Sequence, residues 1–179
     1  LMKRLIRRPE FPETAGTVFL EMKTGNQDRI NQFMNGEKLD RQLLLDILGG
    51  DYQYGWNDKG MYEFLIALWE VNQKLSPAKK IRVIFPDFGL SWLDIQTEDD
   101  VKRWERYTFQ DRDTCMADMT EKIIRENQNS RGHLFIVGGN HACKHANGVP
   151  SLGNLLKQKF SDEEVYAVKL HTVWGDNSG

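Results

Sequence analysis

The chain has 179 residues and a mass of 20.8 kDa, the size of one domain. Its 24 Lys and Arg against 26 Asp and Glu leave a formal net charge of −2, without the basic excess of a domain that binds nucleic acid through phosphates. Hydrophobic residues make up 40%, enough to bury a core and to exclude a disordered chain, and no apolar run approaches the ~20 residues of a membrane helix.

The opening Leu1-Met2-Lys3-Arg4-Leu5-Ile6-Arg7-Arg8 places Leu1, Leu5 and Ile6 at helical spacing and is stopped by Pro9 and Pro12. It reads as the tail of an amphipathic helix cut from something upstream. The sequence is therefore expected to be a fragment, and the lack of a signal peptide says nothing about localisation. Thr17-Val18-Phe19-Leu20, ending at Glu21, reads as a buried strand. Helices are expected over Gln27–Phe33, broken by Asn35-Gly36, and over Lys38–Leu48, stopped by Gly49-Gly50. Asp51 to Trp56 is an aromatic loop with Tyr52, Tyr54 and Trp56, which either closes over a pocket or packs against helices.

Asn57 or Asp58 can cap a helix that runs to about Leu75, with Met61, Phe64, Leu65, Leu68 and Trp69 on one face. Ile81–Phe85 is a second strand, ended by Pro86-Asp87, and a loop with Trp92 follows. From Glu98 to Asn127 the pattern is helical and strongly charged, in one or two pieces, and the stripe of Met116, Met119 and Ile123 reads as core. His133–Val137 is a third strand, ended by Gly138-Gly139; Ser151–Phe160 is a helix; Val165–Leu170 is a last strand. Short apolar strands alternating with long helices predict a single α/β domain over 1–179 with a mostly parallel sheet flanked by helices.

Three strands end alike: Leu20 runs into Glu21, Phe85 through Pro86 into Asp87, and Val137 through Gly138-Gly139-Asn140 into His141. Ligands of open parallel sheets bind beyond the carboxyl ends of the strands, so parallel strands aim Glu21, Asp87 and His141 at one crevice. Two carboxylates and an imidazole suit acid–base work or a metal site. The carboxylates have plainer alternatives: Glu21 is an ordinary strand-end carboxylate or pairs with Arg82, and Asp87 forms a turn or caps a helix. His141 is the most suggestive, because the glycines before it let the backbone come close to a ligand. Arg112, inside Asp111-Arg112-Asp113, either belongs to an intrahelical ion-pair run or holds a substrate anion or a site carboxylate. His141, Cys143 and His145 have the spacing of a metal set, but Asn147-Gly148 suggests a loop, and His145 reads as a surface histidine. His133 and His171, at strand ends, read as structural or exposed. The two cysteines, Cys115 and Cys143, fit a reducing compartment, which favours the cytoplasm, though one bridge in an exported protein would look the same.

Phe19-Leu20-Glu21, Gln27, the segment Phe33 to Glu37, the helix Trp56 to Asn72, Ile81-Arg82-Val83 with Asp87 and Trp92, Arg112-Asp113 with Met116-Ala117, and Gly138-Gly139-Asn140-His141 follow one another in an order that resembles the superfamily of erythromycin esterases, Tiki/TraB proteins and ChaN-like haem-binding proteins. The likeness covers most of the chain and is strongest to a bacterial branch of unassigned function. It implies an α/β fold with the site at the carboxyl ends of the strands. Gly138–His141 matches the later of two Gly-x-x-His motifs and Glu21 the strand-end glutamate. The early motif is expected upstream of Leu1, so the domain is expected to lack its first strand and part of its first helix. The resemblance implies an ester or peptide hydrolase. His141 and Glu21 would activate water, with or without a divalent metal that the two would hold, and Asp87 and Arg112 would support them. Gly138, Gly139, Asn140 and Trp56 would line the place of a small-molecule or peptide substrate. The alternative is haem binding without catalysis, with the aromatic loop of Tyr52 and Tyr54 against the ligand.

Overall fold

A computed structural model describes residues 2–49, 56, 58–88, 95–126, 131–142, 150–161 and 164–168. Among them, three short strands form one parallel sheet: β1 (Ala15–Leu20), β2 (Arg82–Ile84) and β3 (Gly132–Ile136), in the order β2-β1-β3. Val18 stands opposite Val83 on one side and Leu134 on the other. Helices flank the sheet, so the architecture is the α/β class that the alternating pattern predicts. No helix among the described residues is long and apolar enough to cross a membrane.

All six residues of β1 are buried, which is why this strand reads as a continuous apolar run rather than an alternating one. Its two faces enter different layers. Val18 and Leu20 join the larger core with Ile30, Phe33 and Met34 of α3 (Gln27–Asn35), Leu44, Ile47 and Leu48 of α4 (Arg41–Gly49), and Phe64, Leu65 and Leu68 of α5 (Lys59–Asn72). Phe19 faces the other way, its ring 5.5 Å from that of Phe135. Phe135 and Val137 pack there on Met116 and Ala117 of α7 (Arg112–Glu126) and Leu152 of α9 (Leu152–Phe160). The short α1 (Met2–Ile6) and α2 (Phe11–Thr14) close the larger core with Ile6 and Phe11.

Local chemistry accounts for the helix starts. The Asp58 carboxylate accepts from the Met61 amide and caps α5. Thr97 and Asp100 form a reciprocal capping box at α6 (Glu98–Arg106). Between α6 and α7 the chain does not stay α-helical: Tyr107–Asp111 is a π-helical turn, in which the Arg112 amide donates to the Tyr107 carbonyl. The charged stretch that reads as one or two helices is thus two α-helices joined by a π turn.

One expected element is corrected. Val165–Val168 forms no strand, and Tyr166 and Val168 are exposed at 83% and 78%. Alternating apolar residues suit a strand, but a strand also needs a paired neighbour, and these four residues have none among the described residues. Lys169 and Leu170 lie outside the described residues, as do Tyr52, Tyr54, Trp92, Cys143, His145 and His171.

The outer edge of β2 is closed by a side chain. Asn72, at the end of α5, donates to the Ile81 carbonyl and accepts from the Ile81 amide, both at 2.8 Å. Replacing Asn72 with Ala leaves both backbone groups without these partners. The variant is expected to lose about 1–3 kcal/mol in urea unfolding; an unchanged midpoint contradicts this role.

Candidate functional site

The topology sets up the site before any side chain is considered. After β1 the chain crosses α3, α4 and α5 to reach β2 on one side. After β2 it passes through α6 and α7 to reach β3 on the other side. Such a switch point opens a crevice beyond the carboxyl ends of the strands. Glu21 follows β1, Asp87 follows β2, and Gly138 and His141 follow β3, His141 lying on the short helix α8 (Gly139–Ala142).

Arg112, the first residue of α7, joins these ends. Its Nη2 donates to Glu21 Oε1 at 2.7 Å and to Asp87 Oδ2 at 2.8 Å, and its Nε reaches Asp87 Oδ2 at 3.3 Å. The alternative in which Glu21 pairs with Arg82 does not occur, and Arg112 is the arginine that holds site carboxylates. Asp111 turns away to Arg106. Asp87 is 1% exposed. It is also bonded by the Tyr107 hydroxyl, which donates to Oδ1 at 2.6 Å, and lies 3.0 Å through Oδ2 from the Lys23 ammonium. Its backbone is fixed as well, the amide donating to Met22 O and the carbonyl accepting from Thr24 N.

On the β3 side, the Gly138 amide donates to Glu21 Oε2 at 2.7 Å. A Cβ at Gly138 would stand 3.2 Å from that oxygen, so a larger residue here would displace the Glu21 carboxylate by a few tenths of an ångström. At Gly139 a Cβ would meet nothing within 4 Å, and Asn140 is exposed. The second glycine and the asparagine begin α8. His141 sits between two carboxylates: Nδ1 bonds Asp113 Oδ1, and Nε2 lies 3.3 Å from Glu21 Oε1. A ring with a carboxylate on each nitrogen is satisfied by the doubly protonated form. Asp113 is itself held, its Oδ2 accepting from the Leu152 amide at 2.8 Å. Arg112 Nη1 lies 3.5 Å from Nε2, a contact between two donors.

Electrostatics follow from this geometry. Hydrogen bonds to Asp113 and then Glu21 outweigh burial and raise His141 to about 9, so it is an imidazolium at neutral pH. Burial works to raise the Asp87 carboxyl, but the Arg112 hydrogen bond and charge, with Lys23 and Tyr107, hold it at about 2. Glu21 is likewise lowered: burial is opposed by bonds from His141 and the Gly138 amide and by the charges of His141 and Arg112. Burial and the Asp87 charge push the Tyr107 hydroxyl well above its usual range. Three carboxylates therefore face three cations, Lys23, Arg112 and His141.

The structure brings together Glu21, Asp87, Arg112, Gly138 and His141 from the sequence-derived set. Trp56 packs against the larger core, and the rest of the aromatic loop lies outside the described residues. Three cluster members escape a sequence reading. Lys23 lies two residues beyond Glu21, after a tight bend in which the Met22 amide donates to the Leu20 carbonyl. Asp113 adjoins Arg112. Tyr107 reaches Asp87 through the π turn: five residues of α-helix would set Tyr107 and Arg112 about 140° apart, whereas the i to i+5 turn brings both to one carboxylate.

The donor set does not fit a divalent metal held by His141 and Glu21. Both oxygens of Glu21 and both ring nitrogens of His141 are engaged, and the Arg112 guanidinium supplies the positive charge between Glu21 and Asp87. Among the described residues, no group of three His, Cys, Asp or Glu side chains is arranged to hold a metal. Comparison with protein-family models, curated proteins and solved structures finds no match to the chain.

The raised His141 value makes a statement about stability. A group that binds its proton more tightly when folded stabilises fully below its unfolded value, 6.5, and loses that contribution as pH rises through its folded value of about 9. Unfolding free energy is expected to fall across that window in the wild type and to fall less in His141→Gln. Equal slopes in the two proteins contradict the charged Asp113–His141–Glu21 chain.

Proposed function

We propose that the cluster is the acid–base centre of a hydrolase acting on a carboxylic ester or peptide, in line with what the resemblance implies. The observation that carries this reading is the chain Asp113–His141–Glu21 at the carboxyl ends of β1 and β3. Its imidazole is about one-fifth open to solvent, while Glu21 behind it is 8% exposed. Asp113 fixes the ring, as a carboxylate does for a catalytic histidine, and leaves Nε2 as the proton-bearing atom nearest Glu21.

The protonation states support a division of roles. Glu21, ionised, exchanges the 3.3 Å contact of its Oε1 with His141 for the attacking water and takes the water's proton as the water oxygen adds to the substrate carbonyl. Arg112 Nη1, beside Nε2, offers a cationic donor to the developing oxyanion. His141, charged, gives its Nε2 proton to the leaving oxygen or nitrogen as the bond to the acyl carbon breaks. The proton on Glu21 then passes to Nε2 across the 3.3 Å contact, which restores the resting state with no net gain or loss of protons. A neutral histidine poised near pH 7 would instead serve as the base. The raised value favours the acid role, because only a minor fraction of the ring is neutral at pH 7.

The test is a screen of small esters and short peptides, followed by the pH dependence of kcat/KM on whichever is turned over. Activity is expected to be level near neutral pH and to fall above about 9 as His141 loses its proton. His141→Ala is expected to fold and to lose about 10²–10⁴-fold in kcat/KM. A rate that climbs toward pH 9 reverses the roles of the two residues. Full activity in a folded His141→Ala protein ends the proposal.

A further inference from the structure

We propose that Gln27 is a positioning residue for the cluster: its side-chain amide replaces a neighbouring strand at the outer edge of β2 and so fixes the strand end that carries Asp87. Edge strands leave one row of backbone donors and acceptors without a strand partner. In this protein the groups of Ile81, Val83 and Phe85 face outward and are met by two amide side chains. Asn72 takes both groups of Ile81. Gln27, the first residue of α3, donates from Nε2 to the Val83 carbonyl at 3.0 Å and accepts at Oε1 from the Phe85 amide at 2.8 Å. It thus spans two alternate residues, as a parallel strand does. A further bond from Nε2 to Asn31 Oδ1 at 3.0 Å, one turn along α3, sets the direction of the amide.

The consequence lies two residues further on. Pro86 has no N–H to offer, so the Phe85 amide is the last outward donor before Asp87. Asp87 is tied on the inner side by Met22 and Thr24. The Gln27 bracket supplies the opposing hold, and the Asp87 carboxylate is what Arg112, Tyr107 and Lys23 converge on. The path from Gln27 to Arg112 therefore consists of hydrogen bonds and two residues of backbone. Asn72 caps the same edge with the same chemistry but lies four residues further from Asp87 along the strand, at Ile81 rather than Phe85, which makes it the natural control.

Gln27 and Asn72 both line an open crevice of about 380 Å³ beside β2, with Arg82, Met119 and Ile123. The crevice gives water a route to part of the freed backbone edge when either side chain is changed, so both variants are expected to fold with reduced stability. Water cannot hold Val83 and Phe85 in fixed relation, which the amide does. The inference concerns how the cluster is held. Its bearing on hydrolysis rests on the function proposed above, and the experiment reads the cluster without turnover.

The measurement is the ¹⁵N–¹H resonance of Arg112 Nε and the exchange rate of its proton, in the full chain and in Gln27→Met and Asn72→Ala. Methionine keeps the length of glutamine and removes both hydrogen bonds. In Gln27→Met the Nε proton is expected to exchange about tenfold faster or more and to move toward the position of exposed arginines, while Asn72→Ala leaves it in place. If Gln27→Met does not fold, Gln27→Glu, which keeps an acceptor for Phe85 and loses the donor to Val83, is read by the same signal. An unchanged Arg112 resonance in the folded Gln27 variant overturns the proposal. An equal change in Asn72→Ala also does so, since both amides would then act through general stability.

Discussion

Two carboxylates lie almost wholly out of water at the ends of adjacent strands, and the Arg112 guanidinium is what lets both stay ionised there. Asp87 is 1% and Glu21 8% exposed. A buried carboxylate without a partner would take up a proton or unfold the strand end, because desolvating its charge costs several kcal/mol. A planar guanidinium offers donors in a fixed fork, so one side chain can bond two acids at once, as a lysine ammonium does with less directional control. By bonding both, Arg112 ties β1 and β2 to the start of α7. Other contacts gather around that tie: Lys23 and Tyr107 bond Asp87, and the Gly138 amide and His141 bond Glu21.

The cluster couples local backbone geometry to chemistry in two places. The π turn at Tyr107–Asp111 costs regular helix hydrogen bonding, and in exchange it puts Tyr107 and Arg112 on one carboxylate. At the first turn of α7, consecutive residues serve different partners: Arg112 looks to the strand ends, and Asp113 to His141 and to the first amide of α9. Asp113 thereby links α7, α8 and α9 through one side chain. The imidazole it holds is positively charged, which returns charge balance to the three acids.

Much of this was legible in the sequence. Apolar runs with Glu, Pro-Asp or Gly-Gly at their ends mark the three strands and place Glu21, Asp87 and His141 at one edge, because parallel strands end on the same side. Arg112 stood out as a charge at the head of an apolar-periodic helix, with its two readings unresolved until its partners were placed. Other features have no sequence signature of that kind. A helical period read across 98–127 cannot show an inserted π residue, so Tyr107 falls on the wrong face. Lys23 looks like any lysine at the end of a strand. Asp113 is hidden in a run of alternating charges, where ordinary i to i+4 pairs are the usual outcome. The segment Val165–Leu170 shows the converse failure: its pattern suits a strand, but its described residues have no strand to pair with.

The account stands on Arg112 coupling two acids, Glu21 and Asp87, by bonding both. A double-mutant cycle on unfolding free energy, with Asp87→Asn and Glu21→Gln made singly and together, measures that coupling directly. It is to be repeated in an Arg112→Met background. The account predicts a coupling above about 0.5 kcal/mol with Arg112 present and its loss when Arg112 is replaced. Additive effects in the presence of Arg112, or a coupling that survives its removal, would contradict it.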